Sequence, residues 1–324
     1  MNARTFLTLG EVSDVVAAAL GRPPVGLERL TGGTKKGVYR LRFGDGGTAI
    51  LYSWADAENY WPPAETVPDD PFTDASGLEL FAANHAALTA ARVRVPHLLS
   101  LDRRAGLAIV EDAGGEKLEA LMERDPAAAA APLAELGESL RRMHTATSAT
   151  WGRLVAPAAV GTSPASPGGR RAEDVILDRA LGHLGSVAGR DGRLTAASGR
   201  IEDHVRRLHA AISPRRVYGL VHGELGPDHV LVGPGGEPVM IDIEGLTHFD
   251  VEWEHAWLQM RFRDAYPALR PVELDPDRLE LYRYAQVLAL IEGPLRIAET
   301  DFPDRDWMLQ LAEWNIAKAL DLPE

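Results

Sequence analysis

The run Val221-His222-Gly223-Glu224-Leu225-Gly226-Pro227-Asp228-His229-Val230-Leu231 constrains this chain more than any other stretch. A Gly-Pro-Gly-Gly turn follows it, and then Met240-Ile241-Asp242-Ile243-Glu244-Gly245. Two short apolar runs around a glycine-rich turn read as a hairpin. Its polar residues lie in the flanking loops, with His222, Glu224 and His229 before the first strand and Asp242 and Glu244 after the second. A loop, strand, turn and strand in this order gather distant side chains around one site. Alternation along a strand would put Asp242 and Glu244 on one face.

Upstream, residues 8–20 carry helical spacing and stop at Gly21 and the Pro23-Pro24 pair. Residues 26–30, 38–43 and 48–52 read as strands, the last two joined through Gly44-Asp45-Gly46-Gly47. Residues 54–77 are rich in Pro and Asp and read as a loop. A helix is expected over 78–91, then strands over 95–99 and 107–111. Further helices are expected over 116–124, 132–146, 172–188, 197–212 and 251–262, and from 277 to the end. Between them, 156–169 is a Pro/Ala/Ser/Gly linker with too little apolar surface to pack a core.

In this element order, the motif resembles the protein-kinase-like small-molecule phosphotransferases, the family of aminoglycoside phosphotransferases, choline kinases and homoserine kinases. That family reads His-Gly-Asp, four residues, Asn, an apolar strand, and then Ile-Asp or Val-Asp. Here His222, Gly223 and Asp242 match, Glu224 stands at the Asp position and His229 at the Asn position. The element order follows the family over about residues 25–265. The resemblance implies an α+β, bilobal protein-kinase-like fold. Its small antiparallel β-sheet lobe with one helix, residues 1–112, would bind nucleotide. Its larger, mainly helical lobe, residues 113–324, would carry catalysis and substrate binding, with Asp112-Ala113-Gly114-Gly115 as the hinge.

The resemblance also implies the cofactors, ATP with GTP as the alternative and Mg²⁺ with Mn²⁺ as the alternative. Glu224 would accept the hydrogen bond of the substrate hydroxyl and take its proton. Its stem is one methylene longer than aspartate, which displaces the carboxylate by about an ångström, and such a displacement costs up to roughly a hundredfold in rate. Asp242 would be the main metal ligand. His229 would position a water or favour a softer ion, since imidazole suits Mn²⁺ better than Mg²⁺. Glu244 would supply the oxygen the family takes from Asn. His222 would be structural, its ring bonded to backbone near Asp242, and Glu254 would replace an Asp that supports the catalytic loop.

At the nucleotide end, Thr31-Gly32-Gly33-Thr34-Lys35-Lys36-Gly37 combines glycines that admit backbone N–H groups to a phosphate with two lysines. It is not a Walker A loop, because Val38 follows Gly37, and a plain surface turn is the alternative. The family's third strand carries a phosphate-binding lysine, whereas Ala49-Ile50-Leu51-Tyr52-Ser53-Trp54 has none. Lys35, Lys36, Arg40 or Arg42 would have to replace it, with Glu79 as partner or else as an ordinary solvated helix residue. Gly33, Thr34, Lys35, Lys36, Arg40, Glu79, Glu111 and Ala113 form the expected nucleotide-binding set. Trp253 and Trp257, four apart, read as core packing.

The composition closes off other classes. The 324 residues hold 34 basic and 47 acidic side chains, net −13, which argues against a nucleic-acid backbone as partner and permits a cationic small-molecule acceptor. Without cysteine there is no disulfide and no thiolate zinc site. His-Glu-x-x-His spacing is missing, which argues against a metal hydrolase. No apolar run spans a bilayer and the N-terminus leads into no signal-like core, so a cytoplasmic monomer or homodimer without membrane contact is expected. The sequence-level expectation is an ATP-dependent O-phosphotransferase acting on a hydroxyl of an antibiotic, as a resistance or self-resistance kinase. Asp250, Glu252, Glu292 and Glu299 are candidate ammonium partners for its acceptor. The alternatives are an amino-alcohol or sugar kinase of metabolism and a catalytically silent nucleotide-binding protein.

Overall fold

The computed structural model describes residues 4–31, 33–62, 69–154, 169–270 and 273–322. The linker read at 156–169 lies outside these residues except for Gly169, as do 63–68 of the loop read at 54–77. The chain folds into helices and antiparallel sheets, an α+β arrangement. It has two compact units, each made of three separate segments. One comprises Met1–Trp61, Ser76–Pro132 and Asp228–Glu244; the other comprises Pro62–Ala75, Leu133–Pro227 and Gly245–Glu324. The division therefore does not fall at one point near residue 112: the hairpin at 228–244 belongs with the N-terminal sheet.

In the first unit, α1 (Leu9–Leu20) starts where the Glu11 carboxylate accepts the Thr8 N–H at 2.8 Å and ends at Gly21. An antiparallel sheet of β1 (Pro24–Arg29), β2 (Gly37–Phe43), β3 (Thr48–Ser53), β4 (Leu98–Asp102) and β5 (Leu107–Glu111) follows, in the order β1-β2-β3-β5-β4. Val12 and Val16 of α1 bury against Tyr39, Leu41, Ala49, Leu51 and Ile109 on one face. On the other, Tyr52 meets Phe81 of α2 (Leu78–Ala90) edge-on at 5.5 Å. β4 begins three residues later than its apolar pattern suggests, after Pro96, which has no N–H to give a ladder.

A second, three-stranded sheet joins β6 (Glu116–Lys117), β9 (Val230–Val232) and β10 (Pro238–Met240) in the order β10-β9-β6. Glu116 and Lys117 pair with Val232 and Leu231, so the helix expected from 116 starts only at Leu118, as α3 (Leu118–Arg124).

The second unit is mainly helical, with α4 (Ala130–Thr145), α5 (Ala172–Ala188), α6 (Gly192–Ala211), α7 (Val251–Phe262), α8 (Pro276–Ile297) and α9 (Arg305–Leu320). Val175, Ile176, Leu194, Ile201, Leu281 and Leu288 lie in its core. Short strands β7 (Gly152–Arg153), β8 (Gly219–Val221) and β11 (Thr247–Phe249) pair as β7-β11-β8. The segment after residue 68 joins this unit too. Buried Asp70 pairs with Arg179 of α5, and the Phe72 ring stacks on Trp253 at 4.3 Å. Among the described residues, no helix is long and apolar enough to cross a membrane.

Candidate active site

In the first unit, the β9–β10 hairpin delivers a cluster of opposite charges. Just past β10, Asp242 takes a left-handed conformation, φ 59°, and Ile243–Gly245 forms a single 3-10 turn. Strand alternation is therefore not what brings Asp242 and Glu244 together; the turn does so. Both carboxylates close on the ammonium of Lys36, with Nζ 2.6 Å from Asp242 Oδ1 and 2.6 and 2.7 Å from the two Glu244 oxygens. Lys36 sits at the end of the loop before β2, and its Nζ lies 5.1 Å from the centre of the Tyr52 ring. Burial opposes the lysine charge, but Asp242 and Glu244 overcome it and hold the ammonium above the ordinary lysine range. Burial likewise pushes the Glu244 carboxyl up, with the Lys36 charge working against that rise.

Asn84 fixes this turn from α2. Fully buried, it donates from Nδ2 to the carbonyls of Ile243 at 2.8 Å and Glu244 at 3.1 Å. His229 closes the 3-10 turn Pro227–His229, its Nε2 3.6 Å from Asp242 Oδ2 and 3.7 Å from Asp228 Oδ2. Ile241 donates its N–H to the His229 carbonyl at 3.0 Å, tying the two ends of the hairpin together.

Among the other members of the expected nucleotide set, Gly33 packs against the Lys36 backbone, and Thr34, Lys35, Arg40 and Glu79 make contacts away from its ammonium. Gly33 packs so closely that an added Cβ would collide with the Lys36 carbonyl oxygen, so this loop needs glycine there. Thr34 accepts the Tyr60 N–H at 2.8 Å, and the Lys35 ammonium lies 5.6 Å from the Trp61 ring. Arg40 pairs with Asp112 at 2.8 Å, and exposed Arg42 with Glu28 at 2.5 Å. Glu79 pairs with Arg103 at the surface, so the structure does not bring it to Lys36. Glu111 is held by both Arg94 and the His97 N–H, and Ala113 is buried beside it.

In the second unit, the loop from β8 carries His222, Gly223 and Glu224. His222, Gly223, Leu225, Gly226 and Pro227 are buried, and Glu224 alone in this run is exposed. Gly223 has φ 98°, and a Cβ there would stand 2.8 Å from the Gly245 carbonyl, so only glycine makes this turn without strain. Its carbonyl accepts the Trp253 indole N–H at 2.9 Å. Glu254, fully buried on α7, accepts the N–H groups of both His222 and Gly223. Burial pushes its carboxyl up to about 7, against the pull of those hydrogen bonds.

The acidic residues expected to receive an ammonium already have basic partners. Asp250 pairs with Arg278, Glu252 with Arg215, Glu292 with Arg296 at 3.0 Å and Glu299 with Arg190 at 3.1 Å. Sequence reading did not single out Asn84 or Phe72. A signal for Asn84 was present, since it is the polar residue in a stripe with Phe81 and Leu88 on α2.

Residues 27–290 match the model of the phosphotransferase enzyme family, and the chain belongs to that family of small-molecule kinases. Solved structures share the fold along nearly the whole chain. Spectinomycin phosphotransferase APH(9)-Ia, in complex with ADP and spectinomycin, aligns with a TM-score of 0.64 at 11% identity, covering 98% of each chain. Choline kinase LicA from Streptococcus pneumoniae aligns with 0.62 at 12% identity, covering 96% of this chain and 98% of its own. A thermostable mutant of aminoglycoside phosphotransferase APH(4)-Ia, in ternary complex with ADP and hygromycin B, aligns with 0.60 at 16% identity, covering 97% and 100%. No curated protein sequence matches this chain significantly.

Proposed function

We propose that this chain transfers the γ-phosphate of ATP to a hydroxyl of a small molecule, most specifically an antibiotic. The convergence of Asp242 and Glu244 on one cation carries the reading, because phosphoryl transfer depends mainly on charge neutralisation and positioning. Mg²⁺ keeps several waters and needs only one or two protein carboxylates beside the phosphates. Asp242 and Glu244 meet that requirement, with the Lys36 ammonium standing where a cation is held, although no group of three or more His and carboxylate ligands occurs among the described residues. When bound, the ion would neutralise phosphate charge. GTP and Mn²⁺ are the alternatives to ATP and Mg²⁺.

Exposed Glu224 accepts the hydrogen bond of the acceptor hydroxyl and takes its proton as the new P–O bond forms and the bond to ADP breaks. Glu254 and Trp253 hold the loop that presents it. His229, its Nε2 3.6 Å from Asp242 Oδ2, would position a water beside that carboxylate. Bound spectinomycin and hygromycin B in the related structures support an antibiotic acceptor. A second reading, a sugar or amino-alcohol kinase, draws on the arginine partners of Asp250, Glu252, Glu292 and Glu299, which occupy the acids available for a polycationic acceptor.

A coupled ADP-release assay tests the proposal across aminoglycosides, spectinomycin, basic cyclic peptides, sugars and amino alcohols, with Mg²⁺ and separately Mn²⁺. Acceptor-dependent ADP and a gain of one phosphate in acceptor mass are expected. Silence across the panel, with nucleotide binding still visible by thermal shift, would favour a silent nucleotide-binding protein.

A further inference from the structure

The geometry points to Lys36 as a resident counter-ion that holds the metal position between Asp242 and Glu244 and gives it up only when nucleotide phosphates arrive to receive its ammonium. This rests on the phosphotransferase reading and adds an exchange step to it. The observations all lie within the first unit. Three carboxylate oxygens surround Nζ at 2.6–2.7 Å, so a divalent ion bound to Asp242 and Glu244 and the ammonium compete for the same oxygens. Two cations drawn to the same oxygens would repel each other, the more so with Lys36 and Glu244 buried. Lys36 is 7% exposed and Glu244 6%, so neither charge can turn to water without moving the loop.

The third strand explains the arrangement. Tyr52 lies on the sheet face toward α2, opposite Val38 in the ladder, and brings a ring where a lysine from that strand would bring charge. Lys36, on the adjoining loop, reaches the carboxylates from beside this ring. The other local cations are engaged elsewhere: Arg40 with Asp112, Arg42 with Glu28 and Lys35 near Trp61.

The energetic consequence is coupling. A metal ion entering alone must strand a buried ammonium, which is costly without a partner. A metal ion entering with a nucleotide supplies phosphate oxygens for that ammonium, which moves as a cation and loses no proton. Metal and nucleotide binding are therefore cooperative through Lys36, and each raises the affinity for the other by the same factor.

Mn²⁺ binding to the full chain, followed by electron paramagnetic resonance with and without a non-hydrolysable ATP analogue, tests this. Without nucleotide, Lys36→Met should bind Mn²⁺ at least about tenfold more tightly than wild type, and most of the analogue-dependent gain should vanish. Lys36→Arg keeps the charge and should stay as weak as wild type. Equal Mn²⁺ affinity for wild type and Lys36→Met would overturn the exchange and leave Lys36 a fixed structural ion pair. If Lys36→Met does not fold, wild-type protein with ¹⁵Nζ-labelled lysine gives the same answer, since the chain has only Lys35, Lys36, Lys117 and Lys318. The Lys36 ammonium resonance should persist with Mg²⁺ alone at low concentration and move when the analogue is added; a resonance unmoved by both together would contradict the exchange. Turnover in the acceptor panel is scored separately. Intact coupling without turnover would sink the enzyme reading alone, and turnover without coupling would sink the exchange alone.

Discussion

Trp253 donates its indole N–H to the carbonyl of Gly223 across 2.9 Å, with both groups buried. One side of the indole is stacked on Phe72, and its own carbonyl accepts from Gln286 Nε2 at 2.8 Å. A residue that reads from sequence as core packing thus fixes the turn ahead of Glu224. Trp253→Phe keeps the apolar ring and leaves the Gly223 carbonyl without that donor. The expected cost is about 1–3 kcal/mol of stability, measured by denaturant unfolding, with kcat falling more than the KM for ATP changes.

Glu254 gives a pH signature. Its folded carboxyl, raised by burial from 4.5 to about 7, binds a proton more readily than the unfolded chain does. Its contribution to stability is therefore full below about pH 4.5 and is lost as pH rises through 7. At 1.36 kcal/mol per unit this amounts to roughly 3 kcal/mol. The stability of Glu254→Gln minus that of wild type should rise between pH 4.5 and 8. A difference independent of pH would place the Glu254 charge outside the stability of this loop.

A buried histidine contributes the opposite slope over an overlapping pH range. His144 and His255 are buried with ring centres 5.2 Å apart, and neither His144 ring nitrogen has a hydrogen-bond partner. Burial, and after it the neighbouring His255, pushes the His144 ring down to about 3. The unfolded chain takes up this proton near pH 6.5, so stability falls as pH drops below that value, by about 2 kcal/mol at pH 5 from this group. His144→Leu should lose less melting temperature than wild type between pH 8 and pH 5.

Asn84 holds the backbone that carries Glu244. Asn84→Leu keeps the branched shape of the side chain and leaves two carbonyls short of a donor. An increase in the KM for ATP of about tenfold to thirtyfold is expected, the kinetic equivalent of two lost buried hydrogen bonds at about 1 kcal/mol each. The KM for the acceptor should change less.

The sequence carried the hairpin of β2 and β3, the helices α1, α2, α5 and α7, and the motif around His222 and Asp242, because periodicity and turn chemistry are local. Contacts that depend on distant partners were not legible in the same way. Two-residue β6 is a strand only because β9 lies beside it, and β7, β8 and β11 are each too short for a pattern. Four cations competed for one role in the first 42 residues, and only the fold placed Lys36, 206 positions before Asp242, at the carboxylates. Asp242 and Glu244 were expected together through strand alternation, yet a left-handed residue and a 3-10 turn bring them there. The packing of Phe72 on Trp253 had no signal in its own neighbourhood, where the chain reads only as loop.

Single-turnover phosphate transfer by Glu224→Ala against wild type tests the central claim most directly, using the acceptor that gives the highest ADP release and following phosphate on the acceptor by mass. The account predicts that wild type phosphorylates the acceptor and that the variant slows by about a hundredfold or more while nucleotide affinity stays within a factor of about two. Equal transfer by the two proteins, or no transfer by wild type to any acceptor, would contradict it.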